Sequence, residues 1–269
     1  MIGLPGSVGT IGAGNMAEAI LRGLLRAGMA PDTLHAADPD LGRLQRMREL
    51  GVRAVESNLE LVRSSELVVL AVKPQQLEAA AAALPRDSGP IYLSIVAGAT
   101  TAALRRLLGA GARIVRSMPN TPALIGAGIT AVASDSGGEP ADLERACAVL
   151  RAIGAVVQVP ESALDAVTGL SGSGPAYVYA FIEALIEAGV REGLPLATAR
   201  ALALETVHGA ARLALESGED PALLRERVTS PGGTTVAGLA ALESGGFRGA
   251  ILAAVRAAAE RSRALGSGS

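Results

Sequence analysis

The sequence predicts an α/β protein in which an N-terminal, doubly wound parallel sheet is followed by an all-helical domain. In the first half of the 269 residues, short apolar runs alternate with helical patterns, and a glycine-rich turn directly follows the first run. After about Glu161 the strand signals almost disappear and long Ala- and Leu-rich stretches begin. Alternating strands and helices are typical of parallel sheets covered on both faces, whereas Ala and Leu favour helices.

The elements of the first half follow in order along the chain. The apolar run 8–11 is the first predicted strand, and a helical pattern at 15–27 follows it. A charged helix is expected around 41–50. The other predicted strands lie at 33–37, 52–55, 67–72, 91–96 and 113–117. The run 67–72 is apolar throughout, as expected for a parallel strand that is buried on both faces.

The second half is predicted to be helical. Its helices are expected at 176–192, 196–216, 234–242 and 247–265. The pattern changes at Val159-Pro160, so the predicted domains are 1–159 and 160–265. The closing Gly-Ser-Gly-Ser, residues 266–269, is expected to be a disordered tail.

The helix at 176–190 is apolar on nearly every side. Its charged neighbours Glu183, Glu187 and Arg191 share one face at four-residue spacing. A helix of this kind must be buried, and a domain of about a hundred residues has little interior for it. We therefore expect an obligate homo-oligomer with the helical half as its interface, the alternative being a monomeric bundle.

Composition and charge exclude several classes of function. With 2% aromatic residues and a formal net charge of −2, the chain offers neither stacking platforms nor a basic track for nucleic acid. The single Cys147 cannot form an intrachain disulfide, and with only His35 and His208 beside it a structural zinc site is nearly excluded. Because neither a membrane span nor a signal peptide stands out, we expect a soluble, cytoplasmic protein.

The glycine-rich turn has the spacing of a dinucleotide-binding turn. The segment that fits G-x-G-x-x-G/A is Gly12-Ala13-Gly14-Asn15-Met16-Ala17. It lies between a predicted strand and a predicted helix, whose N-terminus favours a diphosphate. Asp38 stands at the end of the next strand, where an acid faces the adenosine ribose. Alternatively, Asp38 caps the next helix, for which Asp40 is the better candidate. The first domain is therefore predicted to be of the Rossmann type.

Two further segments have the composition of ligand-binding sites. Ala71-Val72-Lys73-Pro74 ends the strand 67–72, at the sheet edge where ligands bind, although a lysine there is often simply solvated. The loop Ser230-Pro231-Gly232-Gly233-Thr234-Thr235 offers backbone N–H groups and hydroxyls to a carboxylate, or else is a plain interhelical turn. Because no general acid stands out, an already protonated C=N substrate suits the chain better than a carbonyl.

Long motifs in both halves resemble the pyrroline-5-carboxylate reductase family. They are Ile11-Gly12-Ala13-Gly14-Asn15-Met16, Ala71-Val72-Lys73-Pro74, Met118-Pro119-Asn120-Thr121-Pro122, the segment from Asp165 to Tyr177, Thr229-Ser230-Pro231-Gly232-Gly233-Thr234-Thr235 and the segment from Leu242 to Phe247. The resemblance covers nearly the whole chain. It implies reduction of L-1-pyrroline-5-carboxylate to L-proline, the last step of proline biosynthesis, with NADPH or NADH as cofactor.

The resemblance also implies residue roles. The implied cofactor-binding residues are Ile11, Gly12, Ala13, Gly14, Asn15, Met16, Asn58, Ala71, Val72, Lys73, Pro74 and Ala97, to which the spacing argument adds Asp38. The implied substrate-binding residues are Ser230, Gly232, Gly233, Thr234 and Thr235. Among these, Thr235 is the candidate for a catalytic role, through contact of its hydroxyl with the ring nitrogen. Dimers built by interlocking helices, often assembled into larger rings, are implied as well.

One position departs from the family pattern. Members that prefer NADPH often carry Ser or Thr with a basic neighbour where this chain has Ala37-Asp38. A carboxylate there accepts a hydrogen bond from the 2′-hydroxyl of NADH and repels the 2′-phosphate of NADPH, although the nearby Arg43 could compensate. We therefore expect NADH to be used well.

Two other functions fit the same architecture. A 3-hydroxy-acid dehydrogenase would rely on a lysine in its second domain, and the helical half contains none. A dinucleotide-binding sensor would not need the carboxylate loop at 230–235. The reductase is therefore the preferred interpretation.

Overall fold

The structure is a computed structural model that describes residues 3–86, 89–133 and 139–266. It separates into two compact units. The first unit comprises the chain up to Ser173 together with the segment that begins at Arg256, and the second is Gly174–Val255. Within the described residues, no helix combines the length and the apolar character that a membrane crossing requires.

A mostly parallel sheet forms the centre of the first unit. Its strands are β1 (Val8–Ile11), β2 (Leu34–Ala37), β3 (Arg53–Ala54), β4 (Leu67–Leu70), β5 (Ile91–Ser94), β6 (Ile114–Met118), β7 (Gly128–Ala133) and β8 (Gly154–Val159). The strand order is β3-β2-β1-β4-β5-β6-β7-β8. The first six strands repeat the 3-2-1-4-5-6 order of a Rossmann sheet, as predicted.

The strands β7 and β8 were not among the predicted strands, and β7 runs antiparallel to β6. The chain between β6 and β7 contains a short 3₁₀ turn, Thr121–Ile125. A parallel return needs a crossover of a dozen or more residues, usually helical, so this short link reverses the chain instead. A full helix then joins β7 to β8, and that pair is parallel again.

Helices cover both faces of the sheet. They are α1 (Asn15–Arg26), α2 (Leu41–Glu49), α3 (Asn58–Arg63), α4 (Leu77–Ala81), α5 (Thr101–Leu108), α6 (Pro140–Arg151) and α7 (Leu164–Val167). Successive residues of β4 alternate between two cores: Leu67 and Val69 belong to the core on one face, and Val68 and Leu70 to the core on the other. The continuous apolar run in the sequence is therefore explained by burial on both sides.

The first turn of α2 settles one alternative left open by the sequence. The Asp40 carboxylate accepts hydrogen bonds from the N–H groups of Gly42 and Arg43, at 2.9 and 3.2 Å. Asp40 is thus the N-cap of the helix, as its position suggested. Asp38 has other partners, which are described with the site below.

The second unit consists of helices. They are α8 (Gly174–Arg191), α9 (Leu196–Ser217), α10 (Pro221–Arg227), α11 (Thr234–Ser244) and the beginning of α12 (Phe247–Gly266). The short α10 was not predicted, whereas the other four agree with the prediction to within two residues at each end. Two aromatic residues of α8 contact α12: the ring centroids of Phe181 and Phe247 are 6.1 Å apart, and the Tyr177 hydroxyl donates to the carbonyl of Ala254 at 3.4 Å.

The end of α12 belongs to the first unit. The buried Ser262 donates a hydrogen bond to the Asp165 carboxylate of α7 at 2.6 Å. Gly266, expected to begin a disordered tail, is instead the last residue of α12, and residues 267–269 lie outside the described residues. The domain boundary at 159/160 stays a prediction; the compact units divide at 173/174.

Candidate active site

A cleft of about 980 Å³ opens in the first unit, where the carboxyl ends of β1 and β4 lie side by side. The helices that follow these two strands cover opposite faces, so the cleft lies at the switch point of the sheet, the usual ligand site of such folds. Its lining residues are Ile11, Gly12, Gly14, Asn15, Ala37, Asp38, Pro39, Asp40, Arg43, Arg46, Glu56, Asn58, Ala71, Val72, Lys73, Gln75, Gln76, Ala79 and Ala80.

The glycine-rich turn forms the centre of this cleft. Gly12 has φ +95°, and a Cβ at this position would come within 2.6 Å of the Ala71 carbonyl oxygen, so a side chain cannot be accommodated. Gly14 lines the cleft, and a Cβ there would meet no protein atom within 4 Å. A side chain at Gly14 would instead fill the space in front of the N-terminus of α1. This cradle fits the diphosphate of a dinucleotide.

Asp38 is held by the backbone of the same turn. Its Oδ2 accepts from the Ala13 N–H at 2.8 Å, and its Oδ1 accepts from the Asp40 N–H at 2.8 Å. The Arg43 guanidinium lies 3.4 Å from Oδ2. The side chain is only 4% exposed, although it borders the cleft. The carboxylate is therefore fixed in one orientation.

Other charged side chains, from α2 with its N-cap and from the loop after β3, border the same cleft as Asp38. Arg43 lies between two carboxylates, with Nε also 3.6 Å from Asp40 Oδ2. Arg46 follows one turn later on α2, and Glu56 follows β3; both border the cleft. This end of the cleft therefore combines three carboxylates with two guanidinium groups.

The remaining predicted cofactor residues divide into two sets. Asn58 borders the cleft and donates from Nδ2 to the Ala80 carbonyl at 3.0 Å. Ala71, Val72 and Lys73 also border it, and Lys73 is the only lysine in the sequence. Four predicted residues do not line the cleft, namely Ala13, Met16, Pro74 and Ala97. The Ala13 N–H donates to Asp38, and Met16 packs on the core.

Sequence reasoning missed part of the cleft wall. Gln75 and Gln76 follow the predicted segment at 71–74 directly, and Arg46 lies one helical turn after Arg43. The adjacency of the two glutamines to 71–74 and the helical spacing between the two arginines were both visible in the sequence. Glu56 belongs to the loop after a two-residue strand, so its position depends on how β3 pairs with β2.

The predicted carboxylate loop lies in the second unit, between α10 and α11. Its turn is closed by the Gly233 N–H, which donates to the Ser230 carbonyl at 3.0 Å. Gly233 is the N-cap of α11 and has no side chain to satisfy the first N–H groups of the helix. Gly232 and Thr234 are exposed and Thr235 is half-buried. This helix start can therefore accept an anion.

Two of the motifs that carry the family resemblance meet in the first unit, which the sequence did not predict. Asn120, in the segment 118–122, donates to the Ser171 hydroxyl at 3.4 Å, and its Oδ1 accepts from the Ile129 N–H. Ser171 belongs to a π-helical turn, Thr168–Gly172, and a Cβ on Gly172 would lie 2.7 Å from the Met118 side chain. Such π turns are frequent at functional sites.

The titratable groups with clearly shifted pKa values lie away from the cleft. Cys147 is buried in α6, and this burial raises the pKa of its thiol. Burial also raises the pKa of Tyr92 in β5 to about 12. Among the described residues that line the cleft there is neither a histidine nor a cysteine. The cleft wall therefore offers neither an imidazole nor a thiol.

Comparisons with known proteins agree with this arrangement. A family model described as pyrroline-5-carboxylate reductase dimerisation matches residues 161–265, and one described as NADP oxidoreductase, coenzyme F420-dependent, matches residues 7–98. The pyrroline-5-carboxylate reductase of Synechocystis sp. is 48% identical over 262 residues, which cover 96% of this chain and 98% of the relative.

Solved structures extend the likeness to the whole fold. A pyrroline-5-carboxylate reductase from Coxiella burnetii has a TM-score of 0.89 and 37% identity, covering 96% of this chain and 98% of its own. The Plasmodium falciparum pyrroline carboxylate reductase, solved with NADP bound, has a TM-score of 0.87 and 32% identity, covering 97% and 98%. The match to a dimerisation domain indicates that the protein is a homo-oligomer. With relatives this similar over almost its full length, the chain belongs to the pyrroline-5-carboxylate reductase family.

Proposed function

We propose that this protein reduces L-1-pyrroline-5-carboxylate to L-proline with a nicotinamide cofactor, as the last step of proline biosynthesis. The observation that carries the proposal is the cleft at the switch point of the sheet, in a chain 48% identical to a named pyrroline-5-carboxylate reductase over 262 residues. The reduced nicotinamide supplies the hydride for the imine carbon when it is bound.

The first unit supplies the cofactor site. Gly12, Gly14 and the start of α1 hold the diphosphate, because the turn leaves room for it in front of unpaired N–H groups. Asn58 faces the adenosine ribose, and Ala71, Val72 and Lys73 line the groove. Ala97, in the turn after β5, is assigned to the nicotinamide side on the family resemblance alone.

The second unit supplies the substrate-binding loop. The substrate carboxylate binds at the N-terminus of α11, where Gly233, Thr234 and Thr235 offer N–H groups. The Thr235 hydroxyl contacts the ring nitrogen and keeps the imine oriented. Because the iminium nitrogen already carries its proton, orientation is the main requirement, which fits walls without histidine or cysteine.

We also propose that dimers form by interlocking the helices of residues 174–255 and that the enzyme works in the cytoplasm. The apolar side chains that α8 and α9 leave exposed support the first proposal. The single, buried Cys147 is consistent with the second.

The reaction is tested by mixing the purified protein with pyrroline-5-carboxylate and either NADH or NADPH, following nicotinamide absorbance and measuring proline. Proline formation that matches cofactor oxidation is expected, and no turnover with either cofactor would overturn the proposal. Thr235→Ala is expected to lower kcat on the order of a hundredfold with little change in cofactor affinity, and Thr235→Ser to restore part of it.

Thr229 provides the matched control in the same loop. Its hydroxyl donates to the Arg225 carbonyl at 2.6 Å and so is engaged within the end of α10. Thr229→Ala should therefore leave kcat close to that of the unmodified enzyme. If Thr235→Ala and Thr229→Ala lower kcat equally, the loop has only a structural role and Thr235 is misassigned.

A further inference from the structure

We propose that the cleft selects NADH over NADPH and that Asp38, fixed by the backbone of the glycine-rich turn, determines this selection. The inference deepens the proposed function and rests on it only in so far as the cleft binds a nicotinamide dinucleotide. It concerns equilibrium binding, which can be measured without any substrate.

The first argument is the orientation of the Asp38 carboxylate. Both of its oxygens accept backbone N–H groups at 2.8 Å, one from Ala13 in the turn and one from Asp40 before α2. Rotation of the side chain would break both bonds and would leave the Ala13 N–H unpaired near the centre of the site. Asp38 therefore cannot swing aside to admit a larger group at the ribose.

The second argument is the chemistry of the two cofactors at this position. A carboxylate at the end of the second strand accepts a hydrogen bond from a ribose 2′-hydroxyl. A carboxylate has room for about four hydrogen bonds, so the three partners found here leave capacity for a hydroxyl donor. A 2′-phosphate carries close to two negative charges and has no donor to offer, so it is repelled by the same group.

The third argument is the balance of charge around Asp38. Asp38, Asp40 and Glu56 border this end of the cleft with Arg43 and Arg46. Arg43 is already shared between two carboxylates, 3.4 Å from Asp38 and 3.6 Å from Asp40. The three carboxylates outnumber the two guanidinium groups, and a 2′-phosphate would have to compete with Asp38 and Asp40 for Arg43.

The test is calorimetric titration of the substrate-free protein with NADH and with NADPH. The unmodified protein is expected to bind NADH on the order of tenfold or more tightly than NADPH. Asp38→Ser should weaken NADH binding and strengthen NADPH binding, so that the ratio of the two Kd values shifts by roughly tenfold to a hundredfold. Asp38→Asn, which keeps the shape and one acceptor for the Ala13 N–H, should shift the ratio in the same direction.

A matched control removes an equivalent charge elsewhere in the same region. Asp32 is exposed in the 3₁₀ turn before β2 and does not line the cleft, so Asp32→Ser should leave the ratio unchanged. Tighter binding of NADPH by the unmodified protein would overturn the proposal. So would equal weakening of both cofactors in Asp38→Ser and Asp38→Asn, because Asp38 would then only support the turn.

The outcome is independent of the reaction. If the protein shows the expected Kd ratios but does not reduce pyrroline-5-carboxylate, the proposed function fails and the selection by Asp38 stands. If it reduces pyrroline-5-carboxylate but binds NADPH more tightly, the proposed function stands and the selection by Asp38 fails. Thermal melting of each variant confirms that the compared proteins are folded.

Discussion

The two compact units bury their apolar residues in opposite ways. In the first unit the sheet is covered on both faces, and β1, β2, β4 and β5 are buried along their whole length. In the second unit, residues 174–255, all of which the structure describes, the only buried hydrophobic residues are Ala199 and Ala203. The first unit therefore has its own core, and the second does not.

The exposed side of the second unit is rich in large apolar residues. They include Val178, Tyr179, Phe181, Leu202, Leu204, Leu213 and Leu215. Large apolar side chains left exposed in this number are costly in water and are typical of a protein–protein interface. The helical half therefore has the surface expected of an interface between copies of the chain, consistent with the match to a dimerisation domain.

The substitution with the largest expected effect tests the stability of the first unit. Gly154 opens β8 with φ +142°, and a Cβ there would overlap the carbonyl of Gly128, its partner on β7. Gly154→Ala should lower the free energy of unfolding by more than about 3 kcal/mol, so that little folded protein is recovered. Chemical denaturation followed by circular dichroism measures this.

The control for this substitution lies in the other unit. Gly209, within α9, is exposed, and a Cβ on it would meet no atom within 4 Å. Gly209→Ala should change stability far less than Gly154→Ala does, because the added methyl group meets no atom of its own chain and alanine favours helix. A Gly154→Ala protein with unchanged stability would contradict the packing described for β7 and β8.

The second prediction tests whether the helical unit forms the contact with a partner chain. Val178 of α8 is 44% exposed within a single chain. In a dimer it is expected to be buried, so Val178→Asp should place a charge in the interface and shift the protein to smaller species with a lower Tm. Light scattering after gel filtration gives the mass.

An equally apolar residue of the first unit provides the comparison. Leu41 is 73% exposed at the start of α2, outside the helical half. Leu41→Asp should leave the mass of the oligomer unchanged. If both variants dissociate the protein, or if neither does, the interface has been placed on the wrong surface.

The same contrast explains how much the sequence could predict. Elements with a regular pattern over their whole length, such as the apolar run of β4 and the helical pattern of α8, were predicted to within a few residues. The strands β7 and β8 were missed although their valine, isoleucine and threonine residues favour strand, whereas the antiparallel direction of β7 depends on the short turn at Thr121–Ile125. In the site, the spacing of Asp38 indicated a ribose contact. Its bond to the Ala13 N–H could not be predicted, because the folded turn creates it.

The smallest expected effect compares the two histidines, one in each unit. His35 is buried in β2 with its Nδ1 3.3 Å from the Ser65 hydroxyl, whereas His208 of α9 is exposed beside Glu205. Burial lowers the pKa of His35, and the nearby Arg53 lowers it further, while Glu60 opposes this. The folded protein therefore binds a proton at His35 less readily than the unfolded chain does.

Stability should accordingly fall as the pH drops below 6.5, the ordinary pKa of histidine, and continue to fall until His35 is protonated in the folded state. Replacing the imidazole with an amide that does not titrate removes this contribution, so His35→Gln should flatten the dependence of Tm on pH between neutral and mildly acidic conditions. His208→Gln, which replaces an exposed histidine of α9, is the matched control. If instead His208→Gln flattens it and His35→Gln does not, the acid-sensitive contact lies in the interface formed by the second unit, not in the core of the first.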